Sequence, residues 1–253
     1  MRAAAAAYGL VCYLIFLATF LYAVAFVGGF AVPHTLDRGP SAALAPALII
    51  DVVLLGIFAV QHSLMARPAF KRWWTKMVPE PIERSTYVLL ASLALILVFW
   101  QWRPIDAPIW TVTVPAGAIA LQAVFWLGWA VVLLSTFLIN HFELFGLRQV
   151  WAHMSGGSLP AAVFRTPLFY GFVRHPLYLG FILAFWATPL MSAGHLLFAV
   201  ATTAYILIAI QLEERDLVAY FGEAYIGYRK RVSMLIPFPA KAEPHAIDPG
   251  IKT

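Results

Sequence analysis

Charged residues are scarce in this chain. Asp, Glu, Lys and Arg make up 11% of the 253 residues, whereas apolar residues make up 62%. A soluble surface needs much more charge, so the composition excludes an ordinary soluble domain. Apolar runs of roughly 17–24 residues recur along the chain, and each is long enough to cross a bilayer core as an α-helix. The alternating pattern of a membrane β-barrel is absent.

Cysteine is almost missing as well. The single Cys12 lies in the first apolar run, so the chain has no internal disulfide and no thiolate-rich metal site. The seven histidines show no HExxH or HxxxH spacing, and the glycine-rich nucleotide motifs and the nucleophile elbow are absent too. We therefore expect no metal site. A metal site stays possible only if His62, His141 and His175 meet in space.

The apolar runs predict an all-α, polytopic integral membrane protein with six spanning helices. Their approximate limits are 8–31, 43–65, 85–102, 117–139, 177–192 and 194–212. The last two must form a tight C-terminal hairpin that turns at Ser192 to Gly194. If the N-terminus is cytoplasmic, all of the 17 Lys and Arg residues except Arg38 and Arg103 lie on the cytoplasmic side. This asymmetry follows the positive-inside rule and predicts that both termini are cytoplasmic.

Polar residues gather at four helix ends, all on the predicted cytoplasmic side. The groups are Gln61, His62 and Ser63; Asn140, His141 and Glu143; Arg174, His175 and Tyr178; and Gln211, Glu213 and Glu214. Singly, each group has a plain structural interpretation, such as an interfacial histidine or a solvated helix end. Ionisable residues at membrane depth are costly, however, and usually face a cavity or a partner. Together the four groups predict one site assembled from distant parts of the chain.

Three segments near the C-terminus carry a family resemblance. RHPLYLG (174–180) precedes an apolar hairpin, and EERDL (213–217) and FGEAYIGY (221–228) follow it. In order and spacing, residues 162–238 resemble the C-terminal half of the isoprenylcysteine carboxyl methyltransferase superfamily. These are integral membrane enzymes that use S-adenosylmethionine, so the resemblance implies a cytoplasmic cofactor-binding segment. The implied cofactor-binding residues are Tyr170, Arg174, His175, Pro176, Leu177, Tyr178, Glu213 and Glu214.

One departure from that superfamily bears on the substrate. The carboxyl methyltransferases carry an arginine one helical turn before the glutamate, where it helps to hold a carboxylate-bearing substrate. Here Ala209 occupies that position. A carboxylate-bearing acceptor thus loses its expected partner.

A narrower resemblance covers nearly the whole chain except its tail. QHSLMARPAFKRWW (61–74), NHFELFGLRQVW (140–151) and ATTAYILIAIQLEERDLVAYFGEAY (201–225) are similar to bacterial methanethiol S-methyltransferases, which are related to NnrU-like membrane proteins. The similarity implies a multi-pass enzyme of the bacterial inner membrane. It also implies S-adenosylmethionine-dependent conversion of methanethiol to dimethyl sulfide, by in-line methyl transfer in a membrane-embedded site.

Methyl transfer to sulfur requires the thiolate, because the thiolate is the nucleophile. A group that takes the thiol proton or stabilises the anion is therefore expected. His141, His62 and Glu143 are the candidate catalytic bases, and histidine has the better intrinsic pKa for the task. We favour His141 because it lies in a segment peculiar to the narrower group, while a mechanism without a base stays open. The candidate substrate-binding residues are Gln61, Asn140, Phe142 and Arg148.

The chain divides into three predicted regions: an N-terminal four-helix transmembrane region (1–140), a cofactor-binding methyltransferase region with the hairpin (141–238), and a tail without expected structure (239–253). The expected partners are a small thiol and the lipid bilayer. Nucleic acid is not expected, since the net charge of +5 is explained by topology. Oligomeric state is not indicated by the sequence.

Three alternatives stay open. One is a methyltransferase for another thiol, a prenylcysteine or a lipid amine. The second is a non-enzymatic NnrU-like membrane protein of nitrogen-oxide metabolism. The third is a reductase-like protein, because related hairpins bind nicotinamide cofactors.

Overall fold

The computed structural model of the protein describes residues 2–160 and 163–237. Over these ranges the fold is all-α, with two short strands and a 3-10 turn (Leu168–Gly171). The helices are α1 (Arg2–Gly28), α2 (Leu44–Ala66), α3 (Pro68–Trp74), α4 (Glu80–Gln101), α5 (Pro115–Ile139), α6 (His141–Leu144), α7 (Leu147–Ser155), α8 (Pro176–Trp186), α9 (Ala193–Phe221) and α10 (Glu223–Arg231). The strands are β1 (Pro108–Thr111) and β2 (Leu190–Ser192). The predicted tail, 239–253, lies outside the described residues.

Five helices are long and apolar enough to cross a membrane: α1, α2, α4, α5 and α9. The shortest, α4, has 22 residues and the longest, α9, has 29. At a rise of about 1.5 Å per residue, even α4 exceeds the hydrocarbon thickness of roughly 30 Å. These helices coincide with five of the six predicted spans, so the prediction of a multi-pass, all-α membrane protein is confirmed.

The predicted fifth span, 177–192, is wrong in length. The helix there, α8, has only 11 residues, so it rises about 16 Å and cannot cross the bilayer core by itself. Pro189 explains the early end, because the residue before a proline is disfavoured in helical conformation. The chain then runs through β2, which pairs antiparallel with β1, and α9 begins at Ala193. Ser192 caps that helix by accepting a hydrogen bond from the backbone of His195.

The core on the side opposite the polar clusters is built from aromatic rings. Phe26, Phe99, Trp102 and Phe198 are buried together, and the rings of Trp102 and Phe198 meet edge to face with centroids 5.9 Å apart. Edge-to-face pairs of this kind add to the stabilisation that burial provides. Trp102 also donates its indole N–H to the carbonyl of Leu36 at 3.0 Å. The loop after α1 is thereby held against the end of α4.

Helices α5 and α8 approach each other at two glycines. A Cβ atom on Gly128 would lie 2.6 Å from the backbone nitrogen of Ala184, and one on Gly180 would lie 2.7 Å from the carbonyl oxygen of Gly128. Small residues allow close backbone approach between membrane helices. The short helix α8 is therefore held against α5 along a seam that leaves no room for a methyl group.

We expect Gly128→Ala and Gly180→Ala each to lower the free energy of unfolding by about 1–3 kcal/mol, the usual cost of overpacking. The measurement is the thermal unfolding midpoint in detergent. Gly56→Ala is the matched control, because nothing lies within 4 Å of a Cβ atom at that position in α2. An equal drop in all three variants would contradict the close-packing explanation.

Candidate active site

A buried carboxylate ties the last turns of α9 to the start of α8 and to α10. Glu214 is only 5% exposed. Its Oε1 accepts hydrogen bonds from Arg174 Nε at 2.7 Å and from His175 Nε2 at 3.1 Å. Arg229 Nε lies 3.4 Å from the other oxygen, Oε2. A buried charge is tolerated only where it is paired and hydrogen-bonded, and the three partners of Glu214 meet that condition.

The segment after α10 lies beside the segment before α8. Arg174 Nη1 donates to the carbonyl of Val232 at 2.6 Å. The backbone N–H groups of Arg174 and His175 donate to the carbonyls of Ser233 and Met234, at 2.8 and 3.1 Å. The guanidinium of Arg174 is thus engaged within the protein, and its side chain is only 11% exposed.

The neighbouring glutamate faces outward. Glu213 keeps 42% of its side chain exposed, and Tyr178 donates its hydroxyl to Glu213 Oε2 at 2.9 Å. Burial and the nearby negative charge of Glu213 raise the pKa of Tyr170, so this phenol keeps its proton. A half-exposed carboxylate beside two protonated phenols is suited to binding a cationic group.

An aromatic cluster adjoins this carboxylate. Phe164 packs against Phe221, Tyr225 and Tyr228, with ring centroids 5.3 to 5.9 Å apart. Tyr228 donates to the carbonyl of Tyr170 at 2.6 Å, and burial raises its pKa to about 12. The hydroxyl of Tyr225 is buried and makes no hydrogen bond to any residue that the structure describes. Buried polar groups normally have partners, so this hydroxyl is suited to meeting a ligand.

A second polar cluster lies at the end of α2. The hydroxyl of Tyr87 is 3.0 Å from His62 Nε2 and 3.1 Å from Nδ1, and Phe58 stacks on the imidazole with centroids 5.2 Å apart. Gln61 donates to the sulfur of Met65 at 3.2 Å. Its Oε1 is buried and accepts no hydrogen bond within the described part of the chain.

The cluster around His62 lies next to the one around Glu213 and Glu214. Ser63 donates to the hydroxyl of Tyr205 at 3.1 Å, and Arg67 pairs with Asp216 at 2.9 Å. These two contacts join the end of α2 to α9 on both sides of Glu213 in the sequence.

His141 lies in a third cluster, between α1 and α5. Its Nδ1 is 2.8 Å from the Thr136 hydroxyl, and its Nε2 is 2.8 Å from the Tyr13 hydroxyl. Because Thr136 already donates to the carbonyl of Leu133 at 2.7 Å, its oxygen must accept from Nδ1–H. Nε2 therefore accepts from Tyr13. Burial lowers the pKa of His141, so the ring is neutral and both of its nitrogens are engaged.

The remaining candidates form a turn beside His141. Glu143 Oε2 accepts from Asn140 Nδ2 at 2.7 Å and from Arg148 Nη1 at 2.9 Å. Asn140 has φ = 149° and ψ = 83°, a positive-φ conformation outside the αL region that residues other than glycine rarely adopt. Phe142 is 49% exposed. The turn thus uses its carboxylate internally and presents Phe142 outward.

The structure brings the candidates on α8 and α9 together and places Gln61 and His62 near them. The group around His141 makes its own hydrogen bonds, and Phe145 lies between it and the cluster that contains Tyr87. Phe16 and Phe145 stack with centroids 3.8 Å apart and pack against the cluster that contains Tyr87, while Phe145 also contacts His141. The described residues contain no group of three or more His, Cys, Asp or Glu side chains that could hold a metal ion.

Sequence reasoning missed four residues of these clusters: Tyr87, Tyr205, Tyr225 and Phe164. Tyr87 and Tyr205 lie inside apolar helices, where a tyrosine is unremarkable without its partners. Tyr225 belongs to the FGEAYIGY segment, so the motif offered a signal for that residue. Phe164 lies in an irregular segment that no periodic pattern predicts.

Comparison with known proteins gives a consistent result. The chain is 59% identical over 232 residues to the methanethiol S-methyltransferase of Mycobacterium tuberculosis, covering 92% of this chain and 95% of the relative. It is 58% identical over 231 residues to methanethiol S-methyltransferase 1 of Bradyrhizobium diazoefficiens, covering 91% and 81%. Nurim of Bos taurus is 32% identical over 182 residues, covering 67% and 68%. No family model matches the sequence, and no solved structure matches it.

The fold and these relatives together define a multi-pass, all-α membrane methyltransferase. Within that class the identity is high over nearly the full length of both chains. The chain belongs to the methanethiol S-methyltransferase family. The resemblance drawn from the sequence segments is thereby confirmed.

Proposed function

We propose that this chain transfers the methyl group of S-adenosylmethionine to methanethiol and releases dimethyl sulfide. The observation that carries the proposal is the half-exposed Glu213 carboxylate, held by Tyr178 above the buried Glu214 network. This carboxylate belongs to a chain whose sequence is 59% and 58% identical to two proteins named methanethiol S-methyltransferase. We place the site at the cytoplasmic face of a bacterial inner membrane, because the basic residues gather at this end.

The residues present fit S-adenosylmethionine as the methyl donor. Glu213 would pair with its ammonium group, and Arg229, whose side chain is 48% exposed, would pair with its carboxylate. The cluster around Phe164 and Tyr225 would hold the adenine ring, with the unpartnered Tyr225 hydroxyl available as a polar contact. When bound, this cofactor supplies an electrophilic methyl group on a sulfonium sulfur.

The start of α8 contributes to the same binding site. Pro176 occupies the first helical position, where its missing N–H costs nothing. The N–H groups of Leu177 and Tyr178 follow in the first turn, where a helix leaves its donors without helical partners. We infer that these two groups hydrogen-bond to the cofactor, while Arg174 and His175 orient Glu214 and the backbone around it.

A small neutral thiol suits the residues near Glu213. Ala209 lies one helical turn before Glu213 and one turn after Tyr205 on α9, so the three residues share a face. The methyl side chain of Ala209 provides no positive charge for a carboxylate-bearing acceptor. Transfer of a methyl group from a sulfonium to a thiolate consumes opposite charges, which a water-poor site favours relative to hydrated ions.

The test is production of labelled dimethyl sulfide. Purified protein in detergent receives methyl-labelled S-adenosylmethionine and methanethiol, and headspace gas chromatography follows the product beside a heat-treated sample. We expect labelled dimethyl sulfide from the intact protein alone. If the protein binds the cofactor but makes no dimethyl sulfide, its acceptor is a compound other than methanethiol. Failure to bind the cofactor would favour a non-enzymatic NnrU-like protein, and binding of a nicotinamide cofactor instead would favour a reductase.

A further inference from the structure

We propose that His62 takes the proton of the acceptor thiol and that Tyr87 positions its ring for this step. The inference rests on the proposed function, because it concerns the acceptor of that reaction. It assigns the base to the end of α2 and not to His141.

The geometry of the pair supports this assignment. The Tyr87 oxygen lies 3.0 and 3.1 Å from the two ring nitrogens of His62, and Phe58 stacks on the imidazole. A neutral imidazole has one N–H donor and one acceptor nitrogen. One hydroxyl cannot serve both nitrogens at once. When the Tyr87 oxygen accepts from the N–H and its own proton points to the carbonyl of His62, 3.5 Å away, the second nitrogen receives no hydrogen bond from Tyr87 and keeps its lone pair. The guanidinium of Arg84 lies over the Tyr87 ring, 5.1 Å from the ring centroid, and helps to hold that ring in place.

The location also favours His62. The contacts from Ser63 to Tyr205 and from Arg67 to Asp216 fix this end of α2 against the helix that carries Glu213. His141, in contrast, has both nitrogens engaged by Tyr13 and Thr136. It could accept a proton only after losing a hydrogen bond inside a packed aromatic cluster.

The charges around His62 favour an anion beside it. Arg84 on α4 lies over the ring of Tyr87, and Arg67 after α2 donates to the carbonyl of Ser63, the residue that follows His62. Arg67 is paired with Asp216 on α9, and Glu83 on α4 is paired with Lys71 on α3. The phenols of Tyr87 and Tyr205 also lie nearby. Positive charges there attract a thiolate as it forms, and the thiolate in turn offsets the repulsion between these arginines and the protonated imidazole.

The step balances without another reactant. The thiol S–H bond breaks, and its proton goes to the free ring nitrogen of His62. The electron pair stays on the thiol sulfur and forms the new sulfur–carbon bond. The bond between the methyl group and the donor sulfur breaks, and its pair remains on that sulfur. His62 then releases the proton to water.

Two measurements test the assignment, and one does not depend on turnover. The first is the pH profile of dimethyl sulfide formation. In His62→Gln we expect kcat at neutral pH to fall by about 10²–10⁴-fold, the usual contribution of general base catalysis, with affinity for S-adenosylmethionine unchanged. Activity should then rise with pH as free thiolate becomes available. In Tyr87→Phe, kcat should fall by roughly tenfold, equivalent to one hydrogen bond of about 1.4 kcal/mol.

The second measurement is the ultraviolet difference spectrum of thiolate when methanethiol is added to the protein with S-adenosylhomocysteine bound. We expect thiolate to form at lower pH than in free solution, and this shift to be lost in His62→Gln and reduced in Tyr87→Phe. Tyr22→Phe and His34→Gln, at the other end of the molecule, are the matched controls. Because this spectrum needs no turnover, it tests His62 even if dimethyl sulfide is not the product.

Three outcomes would overturn the assignment. One is a wild-type protein that produces no thiolate shift. Another is a His62→Gln variant with wild-type behaviour in both measurements. The third is loss of the pH dependence in His141→Gln but not in His62→Gln, which would move the base to His141. If His62→Gln fails to fold, a Tyr87→Phe variant that matches wild type in both measurements overturns the assignment equally.

Discussion

Replacing Glu214 with glutamine is expected to lower the free energy of unfolding by about 3–5 kcal/mol, the cost of removing one member of a buried ion pair. The amide keeps the shape of the side chain but removes its charge. Arg174 and His175 would then be left buried beside a neutral group, and both are bonded to Glu214 at 3.1 Å or less. Few single substitutions have effects of this size.

The loss should be local before it is global. Glu214 is the shared partner of the start of α8 and of Arg229 on α10, so the segment from Glu223 to Met234 should detach first. Hydrogen exchange of that segment, together with the thermal unfolding midpoint in detergent, measures both effects. Glu223→Gln is the matched control, because it changes an exposed glutamate at the start of α10, inside the segment whose exchange is measured. Equal stability of the Glu214 and Glu223 variants would contradict the network.

Adjacent glutamates can differ this much because of helix geometry. Neighbouring residues on an α-helix point about 100° apart, so a pair at the end of α9 cannot face the same surroundings. Glu214 points into the protein and Glu213 points out of it. The sequence predicted that the two residues matter together. It could not assign the inner and outer positions, since both were compatible with a polar helix end.

The spans were predictable because their signal is local. Length and hydropathy alone identify α1, α2, α4, α5 and α9. The same signal failed at residues 177–192, where an apolar run divides into an 11-residue helix and an extended segment. Hydropathy reports that a segment is apolar and not how its backbone is folded. Pro189 was the one residue that pointed to the break.

The candidate site was partly predictable, for a different reason. The motif around His175 and the glutamate pair are close to a known pattern, so their proximity could be expected. Tyr13 and His141 are 128 positions apart, and no local pattern predicts that a tyrosine on α1 engages the expected base. Tyr87 is 25 positions from His62 and lies on the next long helix. Such contacts depend on how helices pack, which periodicity does not determine.

The buried network around Glu214 and the exposed carboxylate of Glu213 therefore have different roles in this site. Glu214 holds α8, α9 and α10 in register, and that arrangement leaves Glu213 accessible beside Tyr178. A rigid, internally satisfied layer behind a binding residue keeps it in one geometry. The division predicts opposite phenotypes for the same chemical change at adjacent positions.

Replacing Glu213 with glutamine is expected to weaken binding of S-adenosylmethionine by roughly 10–100-fold while leaving the unfolding midpoint unchanged. Hydrogen bonds to charged groups contribute about 1.5–3 kcal/mol, and each 1.4 kcal/mol is about a factor of ten in the dissociation constant. The side chain is 42% exposed, and the buried His175, whose Nδ1 lies 3.9 Å from Glu213 Oε2, keeps Glu214 as its nearer partner. Tyr178 can still donate to the amide oxygen, which preserves the local geometry.

Titration calorimetry with S-adenosylmethionine and with S-adenosylhomocysteine measures the effect directly. Both ligands carry the amino-acid group that Glu213 is proposed to bind, so both should weaken to a similar degree. Glu80→Gln changes an exposed glutamate at the start of α4 and serves as the matched control. Unchanged affinity in Glu213→Gln would remove this carboxylate from the cofactor site. Loss of stability instead of affinity would mean that Glu213 belongs to the same structural network as Glu214.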